Sequence, residues 1–418
     1  MKHIKLAAVL MAASLVLTSC GSTVSETTST GKETTSTSET TVDSTTSSSE
    51  SSVSEETNVS EVIEEKEPFE IPEIADTPKQ FARNLKIGWN LGNTLDATNG
   101  SGLDTETSWG NPKATKELIE YVREIGFNTI RIPVSWSKHI DSENQIDKEW
   151  MERVTEVVDW ALDAGLFVIL NSHHDNTKYF PSEAHYEKSE KYIADIWSQI
   201  AENFKDYDEH LIFEAMNEPR LEGTDKEWWF SPDDAEGIES IKVICKLEQK
   251  FVDVVRAAGG YNESRYLLVC SNAASPENAL NDAFTPPTDP AERILISIHA
   301  YTPYDFTMNA NGYSNWVSAD HEREFEFMAD LNMKFILKGY GVVITEFGAS
   351  SKKNDEDRIK WAKDYIRSAQ KYGISVVIWD NGVKGNGAEK FGLIDRNNLS
   401  LYYPEVVDGY LLLYKFFK

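Results

Sequence analysis

The chain has 418 residues, 40% of them hydrophobic and 26% charged, enough apolar material for two or three average domains or one large one. A formal net charge of -28 excludes nucleic acid and other polyanions as natural partners, because like charge repels over the screened range of the field. Neutral ligands fit better, and eleven tryptophans with seventeen tyrosines supply flat faces suited to sugars as well as to a large core.

The first segment reads as a targeting signal. Lys2 and Lys5 precede an apolar run from Leu6 to Leu17, followed by Thr18, Ser19 and Cys20; the run is too short to span a bilayer as a mature helix. The pattern resembles a bacterial lipoprotein signal with Cys20 as the lipidated residue, which would tie the protein to the outer face of the cell membrane by acyl chains alone; a plain secretory signal with an incidental cysteine, releasing a secreted protein, is the alternative. From Gly21 to about Glu67 the sequence is Ser, Thr and Glu with almost no aromatic or branched apolar residues. Such a stretch cannot bury enough surface to offset its conformational entropy, so it is expected to be a disordered stalk, with the folded domain spanning 68–418.

Beyond Pro68, apolar strands alternate with amphipathic helices. Strands are expected at Ile87 to Leu91, Asn128 to Val134, Leu166 to Asn171, Leu211 to Met216, Tyr266 to Cys270, Ile294 to Ile298, Val342 to Thr345 and Ser375 to Ile378. Helices are expected at Thr115 to Ile125, Trp150 to Ala164, Ala184 to Phe204, Ile238 to Ala258, Glu322 to Lys338, Asp357 to Lys371 and after Pro404. Strands that are apolar nearly throughout belong to a parallel sheet covered on both faces. An open doubly wound sheet would carry a glycine-rich phosphate loop after its first strand, a motif that Gly88 and Gly92 do not make. The sequence therefore predicts an α/β fold, a single (β/α)8 TIM barrel, with its active site at the carboxyl ends of the strands.

Reading only those ends collects Asn93, Arg131, His173, His174, Asn217 with Glu218, His299, Tyr301, Glu346 and Trp379. Nearly all can titrate, orient a carboxylate or stack on a ring. Two carboxylates delivered to the ends of two buried strands, Glu218 and Glu346, suggest a glycosidase.

The motifs Gly88-Trp-Asn-Leu-Gly-Asn-Thr-Leu-Asp96, Asn128-Thr-Ile-Arg-Ile-Pro-Val134, Ser172-His-His-Asp175, Phe213-Glu-Ala-Met-Asn-Glu-Pro219, His299-Ala-Tyr-Thr-Pro-Tyr304, Thr345-Glu-Phe-Gly348 and Val377-Ile-Trp-Asp380 resemble those of family 5 glycoside hydrolases. Within that family they are most similar to bacterial endo-β-1,4-glucanases, some of which also cut lichenan and xyloglucan. The resemblance runs from about Phe81 to the C-terminus. It implies a cofactor-independent, retaining double displacement with Glu218 as acid/base and Glu346 as nucleophile. It also implies that Arg131 and Tyr301 hold Glu346 ionised, while Glu346's charge and partial burial keep Glu218 protonated. Asn217 would hold the sugar 2-hydroxyl, His173 and His299 would complete the polar network, and Trp379 would stack beneath the sugar. A β-mannanase, a xyloglucanase or a non-catalytic glycan-binding lipoprotein are the alternatives on the same scaffold.

Several residues stay open at this level. Trp316 lies among Gly312, Tyr313, Ser314 and Asn315 and is placed with the substrate-binding residues as a stacking platform, with core packing the alternative. Trp228 and Trp229 follow Glu218 closely and suit a subsite on the leaving-group side or loop anchoring. His173, His174 and Asp175 could be read as metal ligands, but adjacent residues leaving a strand diverge and no third ligand is spaced for a tetrahedral site. Cys245 and Cys270 are read as buried free thiols, and the protein as a monomer acting on β-glucan.

Overall fold

The computed structural model describes residues 69–415 apart from Glu322. The signal with Cys20 and the Ser/Thr/Glu stalk lie outside the described residues.

Eight strands pair in parallel and in sequence order, and β1 closes on β8. They are β1 (Ile87–Asn90), β2 (Thr129–Ile132), β3 (Phe167–Asn171), β4 (Leu211–Glu214), β5 (Leu267–Val269), β6 (Ile294–His299), β7 (Gly341–Phe347) and β8 (Ser375–Ile378). Helix α1 (Pro78–Asn84) precedes the barrel, and α2 (Lys116–Ile125), α3 (Lys148–Asp163), α4 (Tyr186–Asn203) and α5 (Ala235–Ala257) follow the first four strands. The β5 step has only the five-residue α6 (Pro276–Leu280), and the long loop after β6 holds α7 (Tyr304–Thr307) and α8 (Phe327–Lys334). Helices α9 (Asp355–Tyr372) and α10 (Pro404–Lys415) complete the ring, and β9 (Ile394–Asp395) pairs antiparallel with β10 (Ser400–Leu401) in the loop before α10. The helix expected from Glu322 is shorter: Arg323 to Glu326 are in turns, and α8 is succeeded by a 3-10 turn, Ile336–Lys338. Local caps set several helix starts, as where Thr115 accepts from Leu118 N–H and Asp234 from Gly237 N–H.

Alternation along each strand divides the core in two. Outward residues such as Ile130, Ile132, Val168, Leu170 and Phe213 pack under the helices in the larger apolar cluster. Inward residues Phe167, Ile169, Ile212, Leu268, Leu295, Val343 and Val377 form a second cluster, which Tyr266, the α1 side chains Phe81 and Ala82 and the adjoining Leu85 complete. Phe81 stacks on Tyr266 with ring centroids 3.7 Å apart. Helix α1 thus plugs the amino end of the barrel, and β7 begins with Gly341 because a Cβ there would sit 2.4 Å from the Pro78 carbonyl. One step further up, the same inward register turns polar: Asn90, Arg131, Asn171, Glu214, Ser297 and Thr345 are all fully buried or nearly so.

Candidate active site

The polar layer is built around Arg131, which is 0% exposed. A guanidinium cannot be buried alone, and every branch of this one is taken. Nε donates to Glu214 Oε2 at 2.7 Å, Nη1 to Glu346 Oε1 at 2.6 Å and to Asn90 Oδ1 at 3.0 Å, and Nη2 to Asn217 Oδ1 at 2.7 Å. Burial opposes its charge, but the Glu214 and Glu346 carboxylates outweigh burial and hold it above the ordinary arginine range. Glu214 is satisfied on its other sides by Asn171 Nδ2 at 3.0 Å and Ser297 Oγ at 2.6 Å.

Glu346 owes its position to an irregularity. Strict alternation would send Thr345 inward and Glu346 outward, yet Thr345 Oγ1 bonds with Ser297 inside the barrel while Glu346 also reaches inward to Arg131. The register shifts between Ile344 and Phe347 on the β8 side and between Ile298 and His299 on the β6 side allow both. Tyr301 Oη donates to Glu346 Oε2 at 2.9 Å.

Glu218 stands two residues beyond Met216, past the end of β4. Its Oε1 lies 2.8 Å from His299 Nδ1, which is also 3.6 Å from Glu346 Oε2. One oxygen of Glu218, one of Glu346 and a His299 nitrogen all lie within 4.8 Å of one another. Arg220 approaches from the far side, with Nη1 3.9 Å from Glu218 Oε2 and 3.0 Å from the Glu218 carbonyl. This differs from the expectation that Glu346 and burial keep Glu218 protonated. Burial does push the Glu218 carboxyl up, but the hydrogen bond and charge of His299, then Arg220, hold it below the usual range. His299 is lifted in turn: burial disfavours its charge, and the Glu346 and Glu218 carboxylates more than compensate. The hydrogen bond between them thus favours the carboxylate form of Glu218 and the charged form of His299.

Asn217 gives its amide oxygen to Arg131, which leaves its NH2 group to donate to a ligand. Asn171 fixes the tautomer of His173. Its Oδ1 accepts from Val134 N–H, so its NH2 donates to His173 Nδ1 at 3.1 Å and the ring proton sits on Nε2. Burial and the neighbouring cations keep His173 uncharged. Trp379 lies parallel to the His173 ring, centroids 5.7 Å apart, over Gly92, where a Cβ would come within 2.8 Å of the indole. Trp379 remains 9% exposed. Asn93 takes a left-handed φ of 55° at the β1 end, donating its backbone N–H to Asp96.

His174 is half-exposed beside Trp109, 3.7 Å from Asp96 Oδ2. Asp175 turns away to accept from Ser137 N–H, Trp136 N–H and Ser172 Oγ. Asp96, His173 and His174 have donor atoms within 4.8 Å of one another, a third group the spacing did not suggest. However, Asp96 already accepts from Asn93 and Thr94, and the tautomer of His173 puts a proton rather than a lone pair on Nε2. Asp96 thus reads as the anchor of the β1 loop.

Trp316 corrects the expectation of a sugar platform. It is 2% exposed, its indole N–H donates to Asp364 on α9, and His321 stacks on its ring at 4.1 Å. An aromatic covered on its face and tied by its N–H to an outer helix packs a loop. Trp228 is partly committed as well, lying 4.2 Å from the Arg220 guanidinium, which Glu227 also holds at 2.9 Å; Trp229 is 62% exposed. Cys245 and Cys270 are free, the first half-buried and the second fully buried. The residues that sequence reasoning passed over are Asn90, Asn171, Glu214 and Ser297. The one hint in the sequence was a polar side chain within an otherwise apolar strand, but whether it faces inward depends on register, which only the structure supplies.

A family model described as cellulase (glycosyl hydrolase family 5) matches residues 93–385 of this chain. The chain belongs to that family. Over 338 residues it is 43% identical to Endoglucanase A of Ruminococcus albus, covering 79% of this chain and 91% of that protein. It is 44% identical over 334 residues to the cellulase/esterase of Acetivibrio thermocellus, covering 79% of this chain but only 39% of that longer protein. The solved family 5 lichenase from Caldicellulosiruptor sp. F32, a mutant in complex with cellotetraose, superposes with a TM-score of 0.77 at 44% identity, covering 82% of this chain and 96% of that one. The glycosyl hydrolase family 5 assignment thus spans the strand ends from Asn93 to Trp379.

Proposed function

We propose that this family 5 protein is an endo-acting β-1,4-glucanase that cuts cellulose-like and mixed-linkage glucans with retention of configuration. The reading rests above all on the Glu218–Glu346 pair, whose oxygens approach within 4.8 Å at the ends of β4 and β7. Retaining enzymes hold their carboxyl groups about 5–5.5 Å apart, whereas inverting ones leave room for a water between them. Glu346, clamped by Arg131 and Tyr301, attacks the anomeric carbon as the Glu218 proton passes to the leaving oxygen. Glu218 then takes a proton from the water that releases the glycosyl intermediate. His299 supplies the proton to Glu218 as sugar displaces water from the pair, a shift that burial of the carboxyl favours. Asn217 donates to the 2-hydroxyl, and Trp379 offers a face to the ring at the cleavage point.

The glucan preference draws support from the relatives named endoglucanase and lichenase and from the cellotetraose held by the latter. The chain acts without cofactor, as a monomer, and Cys20 anchors it to the outer face of the membrane. The deciding experiment is reducing-sugar release and viscosity on carboxymethylcellulose, barley β-glucan, xyloglucan and glucomannan, with Glu218→Gln as control. Rapid viscosity loss on the first two is expected. Silence of the folded protein on all four would reverse the reading in favour of glycan binding.

A further inference from the structure

The seam between β4 and β5 opens directly below the acid/base. Phe213 N–H donates to the Tyr266 carbonyl and Ala215 N–H to the Leu268 carbonyl, a regular parallel ladder. Continued by one step, it would join Cys270 N–H to the Ala215 carbonyl and Asn217 N–H to the Cys270 carbonyl. Neither bond forms. The Ala215 carbonyl accepts from Trp197 Nε1 at 3.0 Å, and Asn217 N–H turns to the Ser172 carbonyl at 2.9 Å. Cys270 N–H donates instead to a side chain, Glu248 Oε1 of α5, at 3.0 Å. The Cys270 thiol then bridges back, with Sγ 3.5 Å from the Met216 carbonyl, 3.8 Å from that of Asn217 and 3.7 Å from Glu248 Oε1.

Glu248 is 0% exposed, and its Oε2 has no hydrogen-bond partner among the described residues. An ionised carboxylate could not be kept there at acceptable cost. Burial pushes the carboxyl well above its usual range, Cys270 N–H and thiol oppose this, and the charge of Glu214 on β4 adds to it. Tyr179, before α4, Cys245 on α5 and Cys270 are further titratable groups that share this interior space.

We propose that Glu248, as an uncharged carboxylic acid, is a positioning residue for Glu218: acting through Cys270, it replaces the missing ladder and fixes the Met216–Asn217 backbone from which the acid/base rises. The proposal rests on the reading of Glu218 as acid/base, and the test separates the two. In the full chain, Glu248→Leu, Glu248→Gln and Glu218→Ala are assayed as kcat/KM on cellotetraose and on 2,4-dinitrophenyl β-cellobioside, whose leaving group departs without a proton. Glu248→Leu loses about 10²-fold on cellotetraose, within the range for general acid catalysis, and little on the activated glycoside. Glu248→Gln retains both activities, since its amide oxygen still accepts from Cys270.

Thermal midpoints against pH give a second measurement. The folded carboxyl binds its proton more tightly than the unfolded one, so wild-type stability falls as pH rises above the unfolded value of about 4.3. The midpoint of Glu248→Gln therefore gains on wild type with rising pH. Equal losses on the two substrates, or none, in a Glu248→Leu protein that melts cooperatively would overturn the proposal. Should Glu248→Leu not fold, a tenfold or greater loss on cellotetraose in Glu248→Gln, or a midpoint difference flat with pH, overturns it equally. If Glu218→Ala shows leaving-group selectivity and Glu248→Leu does not, this proposal alone fails. If Glu218→Ala shows none, the acid/base reading fails with it.

Discussion

The two ends of the barrel use the same inward register for opposite purposes. At the amino end, Phe167, Tyr266 and Leu295 meet Phe81 and Ala82 of α1 and the adjoining Leu85 in an apolar plug. Two residues further along β2, Arg131 is buried as completely, but among two carboxylates and two amides. Burial of apolar area contributes stability without direction, whereas burial of charge contributes direction and is weak evidence for stability. The fold keeps them apart by height along the strands, so that the charged layer rests on a packed apolar floor.

That separation makes the effects of substitution separable. The largest expected effect is at the top: Glu346→Ala should lower kcat by roughly 10⁴-fold or more, as removal of a nucleophile does. Its melting midpoint should change far less, because Arg131 keeps Glu214. Added azide should restore turnover as a glycosyl azide of inverted configuration, and absence of both loss and rescue would remove Glu346 from the nucleophile's role. The next largest is at the bottom, where Phe81→Ala should cost about 3–5 kcal/mol of stability through lost packing on Tyr266 and Phe167. Activity per folded molecule, measured well below the midpoint, should stay within about twofold of wild type. A fall in kcat as steep as the fall in stability would show that the plug and the site are one cooperative unit.

The barrel was legible because eight apolar runs separated by amphipathic helices have few other solutions, and the strand-end residues were legible because topology brings them to one face. What sequence could not convey was height and register. Glu214 sits inside an apolar run and reads as one more strand residue until Arg131 is seen opposite it. The two register shifts around Glu346 break the alternation on which any reading of facing depends. Trp316 fails for another reason: a loop aromatic has no periodicity, so its burial against His321 and Asp364 depends on contacts from α9, far away in the chain. The Glu218–His299 hydrogen bond is likewise a property of distances, since nothing in the order of residues places an imidazole 2.8 Å from Glu218.

The smallest predicted effect tests whether the rim, unlike the plug, is weakened by acid. His139 is buried between the β1 loop and α3, its ring stacked on Trp150 at 3.6 Å and 3.1 Å from Thr105 Oγ1. Burial brings it down to about 4, against a small opposing pull from Asp147. The folded ring stays neutral where the unfolded chain, titrating at about 6.5, already binds a proton. Stability is therefore complete above the unfolded value and is lost as pH falls towards 4, by at most about 3 kcal/mol. His139→Gln should lower the midpoint modestly at pH 7.5 and flatten its decline between pH 6.5 and 4.5, as followed by calorimetry. The loop held at Thr105 carries Trp109 to the His174 edge of the cleft, so the same acid step should loosen substrate binding before it unfolds the barrel. A wild-type KM that holds constant over that interval, with the midpoint falling, would separate the rim from the site as cleanly as α1 is separated from it.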